Sequence, residues 1–448
     1  MLVDSCKLTD VTNITPPNQL SEETVITDIS SADKVLTGAY AQLHKFSLIV
    51  DEPGITGSMG LSFTNGPSGG SNYAQFYNNS ITSDNYVLSG IYTAWYYLIN
   101  ISSHIIEKTG NLNITDARKE QIVAEASFLR ALAHFSLLRL YGRFYDNSSE
   151  YGIVTWDTPV KDITAKARST VSESYQRILA DLEVAIAKAP EYSSAVYASR
   201  QAALMLKAKV LLYQQEYAKA VSVADQLLNQ LGTTTLEPIY DNIFKLWFRS
   251  KEVLLAPPFD DKNERNNKAY AFRSYVLPTA YYFDLMQGDN RDTTTVYKSG
   301  VNLRSGKFRN TTSNGQTLTA NTEYFLRLGE LYLISAEALV RNSNGDANFQ
   351  TARDRINTIR RRAGMPLLTQ AINNKADLLM AVLKEKQLEL GCESGEDWYD
   401  LIRFTVAGDI NIATYKPNVV NESRYIVPIP NESILASNAV VKQNPGYE

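Results

Sequence analysis

The sequence predicts a mainly α-helical protein in which helical hairpins form a scaffold around a long irregular region containing short strands. Three observations carry that prediction. Apolar residues recur at i, i+3, i+4 and i+7 through several runs, the spacing that lines one face of a helix. These runs come in pairs, separated by glycine, proline or cap-forming residues that stop one helix and start the next. Between them lie two long stretches of another character, 51–85 and 231–320, where turn residues mix with aromatic side chains.

Residues 1–30 read as an N-terminal tail and extended lead-in. The Ser31–Phe46 helix is expected to pair with Tyr86–Lys108 across a long loop, and Asp116–Tyr141 with Val171–Ala189. In the third pair, Ala203, Leu206, Val210 and Tyr213 line one helix and Tyr217, Ala220, Val221, Ala224 and Leu228 the next. Its small residues Ala208 and Ala220, with Tyr213 and Tyr217, resemble the tetratricopeptide pattern, in which small side chains let antiparallel helices approach closely. The fourth pair has Leu328, Leu331, Tyr332, Ser335, Ala338 and Leu339 on its first helix, which Gly345 ends. Asp346 is the expected N-cap of its second helix, which carries Phe349, Ala352, Ile356, Ile359 and Ala363 and stops at Gly364 and Pro366. The scaffold is therefore assigned to 31–50, 86–230 and 322–404, followed by an extended segment 405–448, all within one globular unit of residues 31–448. Within 231–320, Glu252–Leu255 and Gly306–Arg309 are strand candidates.

Composition excludes several classes. The chain has 448 residues, with 44 Lys+Arg against 48 Asp+Glu, and no basic block that could neutralise a run of phosphates, so no nucleic-acid partner is expected. No apolar run approaches the roughly 20 residues needed to cross a bilayer as a helix. Two cysteines, Cys6 and Cys392, cannot build a disulfide framework or a CxxC metal site, and no metal or cofactor is expected. His44, His104 and His134 are scattered, and there is no zinc helix, phosphate loop or nucleophile elbow. Glu385 and Glu389 share a helix face at i, i+4 beside Lys384 and Lys386, and Asp289 and Asp292 flank Arg291, so both pairs read as structural. No catalytic residue is assigned.

Five blocks, in order along the chain, resemble the SusD/RagB family. The first contains Pro16-Pro17-Asn18-Gln19-Leu20, Ala32-Asp33 and Gly38-Ala39-Tyr40. Glu125-Ala126-Ser127-Phe128-Leu129-Arg130-Ala131 runs on to Leu140-Tyr141-Gly142, and Arg327 to Ala338 runs on to Ile356-Asn357 and Arg360 to Gly364. The fourth joins Glu385, Leu388-Glu389-Leu390 and Glu393 to Trp398-Tyr399-Asp400-Leu401. The last pairs Arg424-Tyr425-Ile426-Val427-Pro428-Ile429-Pro430 with Gln443-Asn444-Pro445-Gly446-Tyr447. Departures are local: Lys386-Gln387 stand where arginines are usual, one extra residue separates Glu393 from Trp398, and Arg143-Phe144-Tyr145 replaces a proline-bearing turn. They bear on loop geometry rather than on the fold.

This resemblance implies a cell-surface lipoprotein of the outer membrane, carrying no cofactor, that binds a glycan and passes it to a SusC-like TonB-dependent transporter. Leu2-Val3-Asp4-Ser5-Cys6 resembles the end of a lipoprotein signal, which makes Cys6 the expected lipidation site; the other reading is an incidental thiol. A peptide ligand is the alternative within the family. A helical glycoside hydrolase and a tetratricopeptide scaffold for protein partners are the alternatives from other classes.

Sugars present apolar C–H faces ringed by hydroxyls, so a glycan site needs flat aromatic platforms with polar groups at their edges. Asn72, Tyr73, Phe76, Tyr77 and Asp84 supply this mixture in the first aromatic segment, and Phe259, Tyr270, Phe272 and Tyr275 in the second. These are the candidate ligand-binding residues. Trp95, Tyr96 and Trp398 read as core, and Trp247 as core or rim.

Overall fold

A computed structural model describes residues 25–162, 165–231, 234–260, 267–308, 310–313, 316–319, 321–343 and 345–448. The scaffold is helical. Its elements are Ile29–Gln42, Tyr86–Gly110, Ala117–Tyr141, Val171–Lys188, Arg200–Tyr213, Tyr217–Asn229, Leu328–Arg341, Asp346–Arg362, Lys375–Leu390 and Glu396–Val406. Side-chain caps start many of them: Asp28, Asn85, Asp116, Thr170, Ser199 and Asn374 each accept from an otherwise orphaned backbone N–H in the first turn. The helices from Tyr86 onward stack in chain order, each against the next, up to the Asp346–Arg362 helix. Ala208 and Ala220 are fully buried where the third pair closes.

Two local expectations change. Tyr86–Gly110 packs most broadly against Ala117–Tyr141, because the connection 111–116 is short enough to fold them into a hairpin; Ile29–Gln42 lies across both. Gly345, rather than Asp346, occupies the cap position of its helix.

The stretch 51–85 is not a loop. A π-helical turn Ser47–Asp51 leads into it, and it contains a helix Glu52–Met59 with every residue buried, a strand Phe63–Asn65 and a helix Gly70–Tyr77. Its glycines buy close packing: a Cβ on Gly57 would sit 2.4 Å from the Phe63 ring. The later stretch holds short helices and paired strands. Phe63–Asn65 pairs antiparallel with Val276–Pro278, in the register Phe63 to Pro278, Thr64 to Leu277 and Asn65 to Val276. Val253–Leu255 pairs with Leu326–Arg327, as the Glu252–Leu255 candidate required. Gly306 to Phe308 instead form a turn after the Val296–Ser299/Asn302–Ser305 hairpin, and a last hairpin joins Asn310–Ser313 to Gln316–Thr319.

The family-like motifs have physical partners. In the tail, Gln443 brackets Ile429, accepting from its N–H at 2.8 Å and donating to its carbonyl at 2.9 Å. Asn444 donates to the carbonyls of Tyr141 and Val427, and the Tyr447 hydroxyl to that of Ile426. Glu385 and Glu389 are fully buried against arginines: Arg291 reaches Glu385 at 2.8 Å and Glu389 at 3.0 Å, and Arg327 reaches Glu389 at 2.6 Å. Burial pushes the Glu389 carboxyl up, but Arg362, Arg327 and Arg291 together hold it well below the usual carboxylate range. Asp289 also pairs with Arg291. These carboxylates are structural, as their sequence setting implied.

Candidate functional site

The pairing of Phe63–Asn65 with Val276–Pro278 brings the two aromatic segments together. Two further bonds stitch them: Gly66 N–H donates to the Tyr275 carbonyl at 2.7 Å, and Ser68 N–H to that of Ser274 at 2.8 Å. Half-buried Tyr275 then stands at the centre of a ring cluster. Its ring centroid lies 5.6 Å from Tyr73, 6.0 Å from Tyr270 and 6.3 Å from Phe46, all in edge-to-face contact. Tyr270, Tyr86 and Phe46 are the outward rings, 53%, 64% and 39% exposed.

Asp51 forms the polar floor. It ends the π-helical turn, is only 9% exposed, and accepts a short hydrogen bond from the Tyr73 hydroxyl. Burial pushes its carboxyl up to about 6, with only the Tyr73 bond opposing. The Tyr86 phenol is pushed up by burial, then by Asp51 and Tyr275, so it belongs to the same electrostatic neighbourhood. Among the described residues no lysine, arginine or histidine forms an ion pair with Asp51.

Of the sequence candidates, the cluster includes Tyr73, Tyr270 and Tyr275. Tyr73 lies beneath the surface and offers its hydroxyl to Asp51 rather than a ring face to solvent. Phe76, Phe272 and Phe259 do not offer platforms. Phe272 packs between Phe63 and Phe308, Phe259 against Trp247 and Phe248, and Phe76 is fully buried in the core. Each ring anchors its segment because the scaffold supplies an apolar bed that local composition does not reveal. Tyr77 is partly exposed but lies apart, with the Lys416 ammonium 5.0 Å from its ring. Asn72 is half-buried, its carbonyl accepting from Asn85, and Asp84 is exposed just before the Tyr86–Gly110 helix. Phe46 and Asp51 were missed. Their only sequence signal is an apolar ring at the end of a helix and an acidic residue at its junction with a glycine-containing segment.

A separate groove of about 480 Å³ runs between the Tyr86–Gly110 helix, residues 154–162, Ala165 and Lys166, and the C-terminal segment, with Tyr97 and Trp156 on its walls. It contains none of the candidate residues.

The Asp51 cluster has the means to bind: ring faces, phenol hydroxyls and one desolvated carboxylate. It has no activated nucleophile. His134 is fully buried and accepts from the Trp156 N–H, and burial pushes the Cys392 thiol up. No group of three or more His, Cys, Asp or Glu among the described residues could hold a metal ion, and no helix there is long and apolar enough to cross a membrane.

Comparison with known proteins agrees with the architecture. The SusD-like protein P2 of Formosa agariphila is 24% identical, over 83% of this chain and 83% of its own. A SusD superfamily protein from Bacteroides vulgatus superposes with a TM-score of 0.81 at 22% identity, covering 94% of this chain and 100% of that one. A laminarin-binding SusD-like protein superposes at 0.77 with 20% identity, over 93% and 99%. The family model described as "Starch-binding associating with outer membrane" matches residues 16–212, and the SusD family model matches residues 258–447. With both halves matched and the fold in common, the chain belongs to the SusD/RagB family.

Proposed function

We propose that this protein binds an oligosaccharide or polysaccharide at the cell surface and delivers it, unbroken, to a SusC-like TonB-dependent transporter of the outer membrane. The single observation that carries the binding part is the clustering of the solvent-facing rings of Phe46 and Tyr270 around Tyr275, with Tyr86 and the buried Asp51 carboxylate in the same electrostatic neighbourhood, a combination that suits the aromatic and polar requirements of a sugar ring. Family membership supports the same reading, as do the outer-membrane association in one family description and the laminarin binding of a structural relative. Anchoring is assigned to a lipid on Cys6, which lies outside the described residues.

Hydrolysis is disfavoured by the carboxylates. A glycosidase places two of them across a cleft. Here neighbouring Glu52 turns inward to accept from the Trp95 indole at 2.6 Å and does not face Asp51 as a second catalytic carboxylate. The test is a glycan-array screen followed by isothermal titration and a reducing-sugar assay of the hits. Tyr86→Ala and Tyr270→Ala should each weaken binding by roughly 1–3 kcal/mol, as removal of an aromatic hot spot does, with no sugar released. Wild-type affinity in both, with loss in Tyr97→Ala or Trp156→Ala, would move the site to the separate groove. Turnover removed by one Asp or Glu substitution would replace binding by catalysis.

A further inference from the structure

We propose that this site selects sugars that carry a protonated amine, with the ammonium seated against Asp51 among the surrounding tyrosines. The inference rests on the glycan-binding reading and adds the chemical class of the sugar. It starts from a contrast between buried carboxylates. Elsewhere in the protein they are commonly matched by cations: Asp181 by Arg130, Glu323 by Lys268, Glu337 by Arg403, and Glu330 and Glu396 by Lys209. Asp397, Glu52 and Glu237 have no salt-bridge partner among the described residues either, but each is held by a neutral donor of the core: the Leu61 N–H, the Trp95 indole and the Ser250 hydroxyl. Asp51 also has no salt-bridge partner. Its one described hydrogen bond comes from the neutral Tyr73 phenol, yet its charge is felt by the solvent-facing Tyr86.

A carboxylate held away from water without a cation is costly, and a ligand that brings the missing charge relieves that cost. A hydroxyl can only donate a neutral hydrogen bond to it; an ammonium donates a charge-assisted one, roughly twice as strong. Tyrosine faces add to the preference, since a cation within about 6 Å of a ring centroid is attracted by the ring quadrupole. An anionic sugar meets the opposite field. Phe46, Asp51, Tyr73, Tyr86, Tyr270 and Tyr275 supply acceptors and ring faces for a cation, and none of these six is basic. Tyr73 and Tyr86 are the phenols that interact with Asp51, and no cation pairs with it among the described residues, so the preference should fade as pH drops and the Asp51 carboxyl protonates near 6.

The experiment is an array in which each backbone is present in three forms, with a free amine, an acetamide or a hydroxyl at the same carbon, followed by titration of every hit and by a trilysine control. The expected result is about tenfold tighter binding of the amine form, the difference between a charged and a neutral hydrogen bond. Asp51→Asn should erase that preference, bringing the amine and hydroxyl forms to a common affinity, and a thermal melt of the variant checks its fold. Equal binding of hydroxyl and amine forms, or a preference that survives Asp51→Asn, overturns the selectivity and leaves glycan binding intact. Binding of trilysine with no sugar bound on the array overturns both, as does binding of nothing.

Discussion

Asp51 carries a cost that the rest of the protein must offset. Its carboxyl sits near 6 in the folded chain, against about 3.9 for an unperturbed Asp. The folded state therefore binds the proton more tightly than the unfolded state, and stability falls as pH rises from about 4 through about 6, staying lower above that. Asp51→Asn removes the titration. The variant should match the parent near pH 4 and exceed it at pH 8 by up to about 3 kcal/mol, the equivalent of two pKa units. Denaturant melts at the two pH values check this; equal gaps at both would show that the carboxyl is not desolvated in solution. At this scale the sequence was a partial guide. Leu331 and Ile356 were legible as core because helical periodicity fixes which way they point. Phe76, Phe259 and Phe272 were not, because an aromatic ring in a polar segment is equally suited to anchoring the segment or to facing solvent.

At the scale of elements, the site depends on a strand pair that no local pattern announced. Gly57 in the buried Glu52–Met59 helix lies under Phe63, and Phe63 opens the strand that pairs with Val276–Pro278, next to Tyr275. Gly57→Ala would press a methyl into that ring. It should cost roughly 1–3 kcal/mol, as overpacking does, and should also weaken ligand binding by moving Tyr275. Leu331→Ala, in the scaffold, should cost about 2–5 kcal/mol through a cavity but leave the affinity of the folded fraction unchanged. Melting and titration of both variants separate the two cases; unaltered affinity in Gly57→Ala would mean that the strand pair does not position Tyr275. The scaffold helices were legible because caps and periodicity act within one element. Residues 51–85 read as irregular because their order comes from contacts with the rest of the chain, and glycine-rich sequence gives no local sign of burial.

For the whole molecule, the cluster is assembled from Phe46, Asp51, Tyr73, Tyr86, Tyr270 and Tyr275, so binding competence should follow the folding of the entire chain. The larger apolar core reaches from Ile26 to Val441, a second joins the Leu328–Arg341, Asp346–Arg362 and Lys375–Leu390 helices, Val221, Leu236 and Ile410 pack against both, and the C-terminal tail is tied by Asn444 to Tyr141. Arg327 and Arg362 tie the Leu326–Arg327 strand and the Asp346–Arg362 helix to Glu252 and Glu389, and removal of one partner from such a buried network leaves an uncompensated charge. These links predict one cooperative transition rather than separate melting of a scaffold and a binding region. Helical circular dichroism follows the scaffold, while fluorescence of the buried Trp95, Trp247 and Trp398 samples three separate parts of the core. The two melting curves should coincide, and a bound glycan at about 100 times its Kd should shift both together by the equivalent of about 2.7 kcal/mol. Two resolved transitions, or a ligand shift confined to one signal, would divide the chain into independent units and remove the basis for treating residues 31–448 as one.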